Sequence, residues 1–203
     1  MESNPPTTRK FFLWGSLLVI LWSVYLIFFA RRPPSAHFEQ GEPAVYDVVF
    51  EDLEGKRLSL DKYRNKNVFL HFWATWCPPC VEEMPLIEEL AKNPQLSKVE
   101  FLCVSLDDKL EDVRAFVAQH NVKLPVVRSV GELPEIYRTE PPSIPLTYFI
   151  NSEGRAMKRR VGSQQWNDPA LLKEIEFAMR LKPEKGADPK PLEPAPAADA
   201  AAK

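Results

Sequence analysis

Residues 68–80 read VFLHFWATWCPPC and join two predicted elements through a pair of cysteines. The apolar run that opens this segment, broken only by His71, is typical of a strand that is buried on both faces. Apolar side chains then recur at helical spacing over residues 78–92. The sequence therefore predicts a β-strand that runs directly into an α-helix, with Cys77 and Cys80 at the junction.

The spacing of Cys77 and Cys80 suits disulfide exchange. Three residues apart on a helical turn, their Cα atoms come within disulfide range, so oxidation needs little backbone movement. Cys77 falls at the N-cap, where free backbone N–H groups and the helix dipole favour a thiolate. We therefore expect Cys77 to be the attacking nucleophile and Cys80, one turn inside the helix, to be the less exposed resolving cysteine.

The cysteine pair could also belong to a zinc site, a haem attachment site or a static disulfide. Zinc needs about four ligands, and the chain has no second cysteine pair and only three dispersed histidines. Haem attachment would need a histidine after Cys80, where Val81 stands. A static disulfide across so short a loop would stabilise little. A redox pair is therefore favoured, no metal site is expected, and no cofactor is expected besides the disulfide itself.

Pro78 and Pro79 lie between the cysteines and bear on the direction of electron transfer. Proline is tolerated at the first helical position, but a second proline removes another N–H group from the vicinity of the Cys77 sulfur. A less stabilised thiolate makes the reduced form less favoured, so this pair is predicted to donate electrons. A reduction potential near roughly −120 mV, as in strong oxidants, would contradict this hypothesis.

Strands and helices alternate along the remaining chain. A hairpin is predicted over residues 45–60, around the turn at Glu54-Gly55-Lys56. Further strands are predicted at 99–106, 124–127, 146–150 and up to 161, with helices at 109–120, around 132–137 and at 168–181. Strands joined by helices are expected to pair in parallel, whereas the last two strands form an antiparallel pair. The predicted fold class is α/β.

Two residues of the predicted active-site helix have local interpretations. Glu83 lies three residues past Cys80 on the same helix face, where a partly buried carboxylate could exchange a proton with Cys80. Taken alone, such a residue is more often a solvated surface glutamate. Pro85 is expected to kink the helix without ending it, because the apolar face continues beyond it.

Residues farther from the pair are interpreted more simply. Ile144-Pro145 is a candidate cis peptide, although its spacing alone indicates only a turn. His71 and Cys103 are interpreted as core residues of their strands.

Residues 11–30, from Phe11 to Ala30, form an uncharged apolar run that is long enough to span a hydrocarbon core of roughly 30 Å. A cleavable signal peptide would have a shorter apolar region of roughly 7–15 residues, with small residues at a cleavage site. We therefore predict an uncleaved transmembrane helix. Two basic residues flank it on either side, so the charge count leaves its orientation open.

The remaining segments divide the chain around one domain. Residues 1–10 are a short N-terminal tail, and the polar residues 31–43 are predicted to be a linker that holds the domain off the membrane. Residues 182–203 are rich in proline, alanine and charge and have no aromatic residue, which predicts a disordered tail. The folded domain is assigned to residues 44–181.

The composition argues against some partners. A net charge of −2 provides no broad positive field, so a nucleic-acid partner is not expected. The chain also has no glycine-rich phosphate loop. Electrons are therefore expected to come from another protein and not from a bound nucleotide.

Two segments resemble the thioredoxin-like proteins of the TlpA and ResA type: FWATWCPPC at residues 72–80, followed by Glu83 and Pro85, and SIPLTYFI at residues 143–150. The resemblance covers about residues 40–181. It implies a thioredoxin-like three-layer α/β/α sandwich with a four- or five-stranded central sheet and an added N-terminal hairpin.

The resemblance also implies roles for single residues. Pro145 would be in the cis form and face the disulfide, so that Trp76, Ile144 and Pro145 contact an extended client segment. Glu83 would take part in proton handling at the active site. His71 departs from the asparagine that often precedes Phe-Trp in the family.

The resemblance further implies a thiol–disulfide oxidoreductase anchored by one helix in the bacterial inner membrane, with its domain on the periplasmic or other extracytoplasmic side. Such relatives reduce disulfides in client proteins, including apocytochrome c and metal-site assembly factors. A membrane electron donor then re-reduces their cysteine pair.

Two alternative functions make different demands on the sequence. A peroxiredoxin-like peroxidase would have a threonine three residues before its reactive cysteine, where Ala74 stands, and no partner cysteine nearby. Consumption of peroxide by the domain would favour it. A binding or chaperone module would hold client cysteines without turnover, and function would then survive replacement of both Cys77 and Cys80 by serine.

Overall fold

A computed structural model describes residues 40–180 together with Trp22. The α-helices within this part are α1 (Pro78–Ala91), α2 (Leu110–His120) and α3 (Pro169–Ala178). The strands are β1 (Glu42–Pro43), β2 (Val49–Asp52), β3 (Arg57–Ser59), β4 (Asn67–Trp73), β5 (Val99–Ser105), β6 (Val126–Ser129), β7 (Leu146–Ile150) and β8 (Arg155–Val161). Short 3₁₀ helices are found at Leu60–Tyr63, Pro94–Leu96 and Glu135–Tyr137.

The strands form one mixed sheet in the order β1-β8-β7-β4-β5-β6-β2-β3. β4 pairs in parallel with β5, and β5 with β6, whereas the other pairs are antiparallel. The parallel crossovers, the β2–β3 hairpin and the antiparallel β7–β8 pair are therefore confirmed. The five strands β8-β7-β4-β5-β6 and the added β2–β3 hairpin match the implied sheet, and only β1, at the opposite edge, was not predicted.

The two faces of the sheet are covered differently. Buried residues of all three α-helices belong to one core cluster, on the face that also contains Phe69, Trp73 and Phe149. Within the described residues, the other face is covered by the segment around Tyr46 and by 3₁₀ turns that supply Leu60, Tyr63 and Tyr137. The expected α/β/α layering is thus corrected: the third layer consists of 3₁₀ turns and extended chain.

Local sequence explains where the central elements begin and end. Every residue of β4 after Asn67 is buried, as the uninterrupted apolar run predicted. α1 continues through the exposed Pro85 to Ala91, which confirms that this proline does not end the helix. Asp168 caps the N-terminus of α3, and its carboxylate accepts the N–H of Ala170 at 2.8 Å.

Several predicted boundaries are wrong. The strand predicted at 124–127 is Val126–Ser129, and the helix expected around 132–137 is only the 3₁₀ turn Glu135–Tyr137. The last helix ends at Ala178 and not at residue 181. These elements are short, so their ends depend on tertiary contacts more than on local periodicity.

The domain also begins earlier than predicted. Glu42 and Pro43 of the expected linker 31–43 form β1, and the Gly41 N–H donates to the Ala156 carbonyl at 2.9 Å. Pairing with β8 satisfies backbone groups at the sheet edge, which a polar linker sequence does not reveal.

Among residues 40–180 and Trp22, no helix is long and apolar enough to cross a membrane. Except for Trp22, the predicted transmembrane segment 11–30 lies outside the described residues, as do the tails 1–10 and 182–203.

Candidate active site

Cys77 and Cys80 form a disulfide at the N-terminus of α1. Their Cα atoms lie 5.3 Å apart, and Cys77 is the N-cap residue, as predicted. Cys77 is 5% exposed and Cys80 is 0% exposed, so Cys77 is the more accessible of the two sulfur-bearing residues. The adjacent Trp76 is 66% exposed and presents an indole ring to the solvent beside them.

Pro78 and Pro79 occupy the first two positions of α1. The first helical hydrogen bond runs from the Val81 N–H to the Cys77 carbonyl at 3.1 Å. Because neither proline has an N–H group, fewer backbone donors remain to stabilise a Cys77 thiolate.

Asp107 fixes the loop between β4 and the disulfide. Its carboxylate accepts the Thr75 N–H at 3.0 Å and the Thr75 hydroxyl at 2.6 Å. It also accepts the Ser105 hydroxyl at 2.6 Å, at the end of β5. These bonds tie the residue two positions before Cys77 to the neighbouring parallel strand.

Glu83 is buried beneath the cysteine pair, on the next turn of α1. The side chain is only 1% exposed, although an isolated helix glutamate is normally solvated. Its Oε2 atom accepts the Gln164 N–H and the Trp166 Nε1–H, both at 2.9 Å. Burial raises the pKa of Glu83 to about 7, while the hydrogen bonds from Gln164 and Trp166 and the nearby Ser163 side chain oppose the rise.

His71 lies in β4 under the same carboxylate. Its Nε2 atom is 3.5 Å from Glu83 Oε1, and its Nδ1 atom is 2.9 Å from Thr147 Oγ1. The ring is completely buried, and burial lowers the pKa of His71 to about 3. His71 is therefore a neutral imidazole at physiological pH.

The Ile144–Pro145 peptide bond is cis, as the resemblance implied. Pro145 is buried, and its carbonyl accepts the Gly162 N–H at 2.8 Å. Ile144 packs against both core clusters, including the one that contains Cys77 and Cys80. A second cis bond, Glu140–Pro141, was not predicted.

A cavity of about 400 Å³ opens beside Ile144. Most of its wall is apolar and comes from the ends of β4, β5 and β7 and from the segment before Pro145. The main apolar lining residues are Phe72, Leu106, Leu133, Tyr137, Ile144 and Leu146. Arg138 and Glu140 contribute polar groups to the wall.

The remaining candidate residues do not join this site as reactive groups. Cys103 is a free, buried cysteine, and burial raises the pKa of its thiol far above the usual range. In the part of the chain that the structure describes, no three His, Cys, Asp or Glu residues are arranged to hold a metal ion.

The sequence profile of the AhpC/TSA family matches residues 41–157, which is more than half of the chain. The chain belongs to the AhpC/TSA family. This membership agrees with the thioredoxin-like resemblance of the segments around Cys77 and Pro145.

Two relatives of this chain are named thiol-disulfide oxidoreductases. The thiol-disulfide oxidoreductase ResA of Halalkalibacterium halodurans is 33% identical over 184 residues, covering 87% of this chain and 97% of the relative. ResA of Bacillus subtilis is 32% identical over 157 residues, covering 76% of this chain and 86% of its own length.

Among solved structures, a Chlorobium tepidum protein with a provisional assignment as thiol:disulfide interchange protein DsbE is similar. It superposes with a TM-score of 0.61 at 25% identity, covering 70% of this chain and 99% of its own. With the Cys-x-x-Cys pair at residues 77–80, these relatives identify the AhpC/TSA family member as a thiol–disulfide oxidoreductase.

Sequence reasoning missed two parts of the site in this AhpC/TSA family member. His71 was assigned to the core alone, although a single histidine inside an otherwise apolar strand was a visible signal. Asp107, which follows β5 directly, was not predicted to take part at all. Both contact groups that are distant in sequence, so neither contact could be derived from local spacing.

Proposed function

We propose that this protein is a membrane-tethered reductase of disulfides in extracytoplasmic client proteins. The observation that carries the proposal is a disulfide at the N-terminus of α1 with the buried Glu83 one turn below it. A carboxyl group that titrates near neutral pH can take up and release a proton during turnover. The redox group is the cysteine pair itself, and no further cofactor is invoked.

The reaction proceeds in two displacements. The Cys77 thiolate attacks one sulfur of the client disulfide, which forms a mixed disulfide and releases the first client thiolate. Cys80 then gives its thiol proton to Glu83, and its sulfur attacks the Cys77 sulfur. The mixed disulfide breaks, the Cys77–Cys80 bond forms, and the second client sulfur leaves as a thiolate. Two electrons have passed from the dithiol to the client.

The direction of transfer and the location rest on separate observations. The two prolines at the start of α1 limit stabilisation of the Cys77 thiolate, which favours electron donation. The apolar residues 11–30 support a single tether in the bacterial inner membrane. The periplasmic or other extracytoplasmic side is proposed from the TlpA and ResA resemblance alone, since the flanking charges favour neither orientation. In that location, a membrane electron donor would return the pair to the dithiol form.

Client recognition is assigned to the surface beside the disulfide. The exposed Trp76 and the cavity next to Ile144 offer apolar contacts for an extended segment that carries the client disulfide. Pro145 lies at the same edge of the sheet and is proposed to contact this segment. The proposed clients are of the kind that the resemblance implies, apocytochrome c and metal-site assembly factors.

A trapping experiment tests the proposal. The variant Cys80→Ser, expressed as the full chain, cannot resolve the mixed disulfide, so the client stays bound to Cys77 and can be identified by mass spectrometry. The variant lacking both cysteines is the matched control and should trap nothing. Absence of any Cys77-linked extracytoplasmic protein, or rapid peroxide consumption by the unmodified chain, would reject the reductase proposal.

A further inference from the structure

Glu83 and His71 form a buried pair, and their facing atoms have no other hydrogen-bond partner among residues 40–180. The two side chains are 1% and 0% exposed. Glu83 Oε1 and His71 Nε2 lie 3.5 Å apart, and within the described residues neither atom has a hydrogen-bond partner elsewhere. Buried polar atoms normally find partners, so these two atoms satisfy each other or remain unsatisfied at a considerable cost.

The hydrogen bonds of Glu83 determine where its proton is held. Oε2 accepts two N–H groups, from Gln164 and Trp166, each at 2.9 Å. A proton on Oε2 would compete with both donors. The neutral acid therefore carries its proton on Oε1, the oxygen that faces His71.

Neutral imidazole matches either state of this carboxyl group. When Glu83 is ionised, a hydrogen on Nε2 donates to Oε1, and Nδ1 accepts the Thr147 hydroxyl. When Glu83 is protonated, Oε1–H donates to a bare Nε2, and a hydrogen on Nδ1 donates to Thr147 Oγ1, 2.9 Å away. A hydroxyl group can play both parts because it is donor and acceptor at once.

We propose that His71 is the positioning residue for the Glu83 proton, and that its ring exchanges tautomer whenever Glu83 gains or loses that proton. Thr147 pairs with Nδ1 in either tautomer, as acceptor of Nδ1–H or as donor to bare Nδ1. The inference rests on the proposed function only for its use in turnover, where Glu83 receives the Cys80 proton. An asparagine side chain at residue 71 could not exchange tautomers, which makes His71→Asn a direct test of this role.

The groups around His71 leave Glu83 as the titrating partner of the ring. From β5, Cys103 lies opposite His71 in register, and its thiol stays protonated. From β7 comes Thr147, and beyond it in register is Arg160 of β8, which is paired with Glu174 of α3. Burial is the cause that lowers the pKa of His71, so the ring remains neutral while Glu83 titrates.

Nitrogen NMR of the full, oxidised chain tests the exchange directly. The chain has three histidines, and the His71 signals are assigned by their loss in His71→Asn. With ¹⁵N-labelled histidine, the two neutral tautomers have different shifts. We expect the His71 ring to change from the Nδ1–H to the Nε2–H form as pH rises through about 7, and to keep one form throughout in Glu83→Gln. One unchanging tautomer in the unmodified chain would overturn the inference.

Substitutions at Thr147 supply a second, independent test. Thr147→Val removes the partner of Nδ1 in both tautomers, but a buried N–H without an acceptor costs more than a ring nitrogen without a donor. The Nδ1–H form, which accompanies protonated Glu83, therefore loses more, and the midpoint of the tautomer change should fall by about half a pH unit or more. Thr147→Ser keeps the hydroxyl and should restore the midpoint. Cys103→Ala is the matched control, because it alters the core beside His71 without touching these hydrogen bonds. Equal midpoints in Thr147→Val and the unmodified chain would reject the role of Thr147.

These readouts separate the inference from the proposed function. The tautomer change is measured in the oxidised chain without any client. If the His71 tautomer changes with pH but no client is trapped, the inference stands and the reductase proposal fails. If clients are trapped but the His71 tautomer stays fixed, the reductase proposal stands and the inference fails.

Discussion

At the scale of single residues, burial acts in opposite directions on Glu83 and His71. It raises the pKa of Glu83 from 4.5 to about 7 and lowers that of His71 from 6.5 to about 3. Between pH 4.5 and about 7 the native Glu83 holds a proton that the unfolded chain has lost, so the free energy of unfolding falls as pH rises. Between pH 6.5 and about 3 the unfolded chain holds a proton on His71 that the native protein lacks, so the free energy of unfolding falls as pH falls.

Where the two pH ranges overlap, the opposite effects of Glu83 and His71 on stability should cancel, and replacing either residue should remove the cancellation. Between pH 4.5 and 6.5 the two slopes oppose each other, and this pair should leave the stability of the unmodified chain nearly constant. In Glu83→Gln, the free energy of unfolding should fall by about 1.4 kcal/mol per pH unit on acidification through this range, and in His71→Asn it should rise by a similar amount.

Urea unfolding of the oxidised chain at several pH values measures both slopes. Cys103→Ala, beside His71 but without a titrating role, is the control and should follow the unmodified chain. Parallel curves for Glu83→Gln and His71→Asn would contradict the opposed shifts.

At the scale of elements, the junction between β4 and α1 determines where the disulfide lies. Leu106, just after β5, donates its N–H to the Trp73 carbonyl at 2.8 Å, where β4 ends. The carboxylate of Asp107 then holds both the N–H and the hydroxyl of Thr75. The loop that carries Trp76 and Cys77 is therefore fixed from the neighbouring strand.

Asp107→Asn should weaken this junction. The amide oxygen could still accept the Ser105 hydroxyl and the Thr75 N–H, but an uncharged acceptor forms weaker bonds than a carboxylate. The NH₂ group would face the Thr75 hydroxyl, which must then reverse its direction and accept. We expect a loss of about 1–3 kcal/mol in the free energy of unfolding, measured by denaturant titration. Asp108→Asn, at the exposed neighbouring position, should change it by less than about 0.5 kcal/mol. Equal values for the two variants would show that the Asp107 bonds contribute nothing.

The paired prolines of α1 predict an effect on the reduction potential. Pro79→Ala restores an N–H group at the second helical position, close to the Cys77 sulfur, and should stabilise the thiolate of the reduced form. The potential should then rise by about 20–40 mV, as measured by equilibration with glutathione. Pro85→Ala makes the same substitution farther along the helix and should leave the potential unchanged. A fall in Pro79→Ala would reject the link between the prolines and electron donation.

The same elements show what local sequence can and cannot predict. The strand, the cysteine pair and the continuation of α1 past Pro85 follow from short-range periodicity and spacing. The burial of Glu83 depends on Gln164 and Trp166, which reach it from a loop some eighty residues away in sequence. His71 and Asp107 likewise act through long-range contacts. Spacing within one helix could therefore not reveal these three roles, and only the resemblance raised Glu83 above an ordinary surface residue.

At the scale of the whole molecule, the edge strands of the sheet determine which residues the folded domain requires. β8 would be an edge strand without β1, and its unpaired backbone groups would be open to another chain. β1 covers this edge through the Gly41 N–H bond to Ala156 and through the Arg155 guanidinium, which donates to the Gly41 carbonyl at 2.8 Å.

Two truncations isolate the contribution of β1. Removal of residues 1–39 and removal of residues 1–43 both delete the proposed tether, but only the second also deletes β1. The loss of its backbone bonds should cost about 1–2 kcal/mol and lower Tm by about 3–6 °C relative to the longer form. The shorter form should also self-associate more, since the β8 edge is uncovered. Calorimetry and light scattering measure these two effects. If both forms melt at the same temperature and stay monomeric, residues 40–43 are dispensable and the domain starts at residue 44, as the sequence alone suggested.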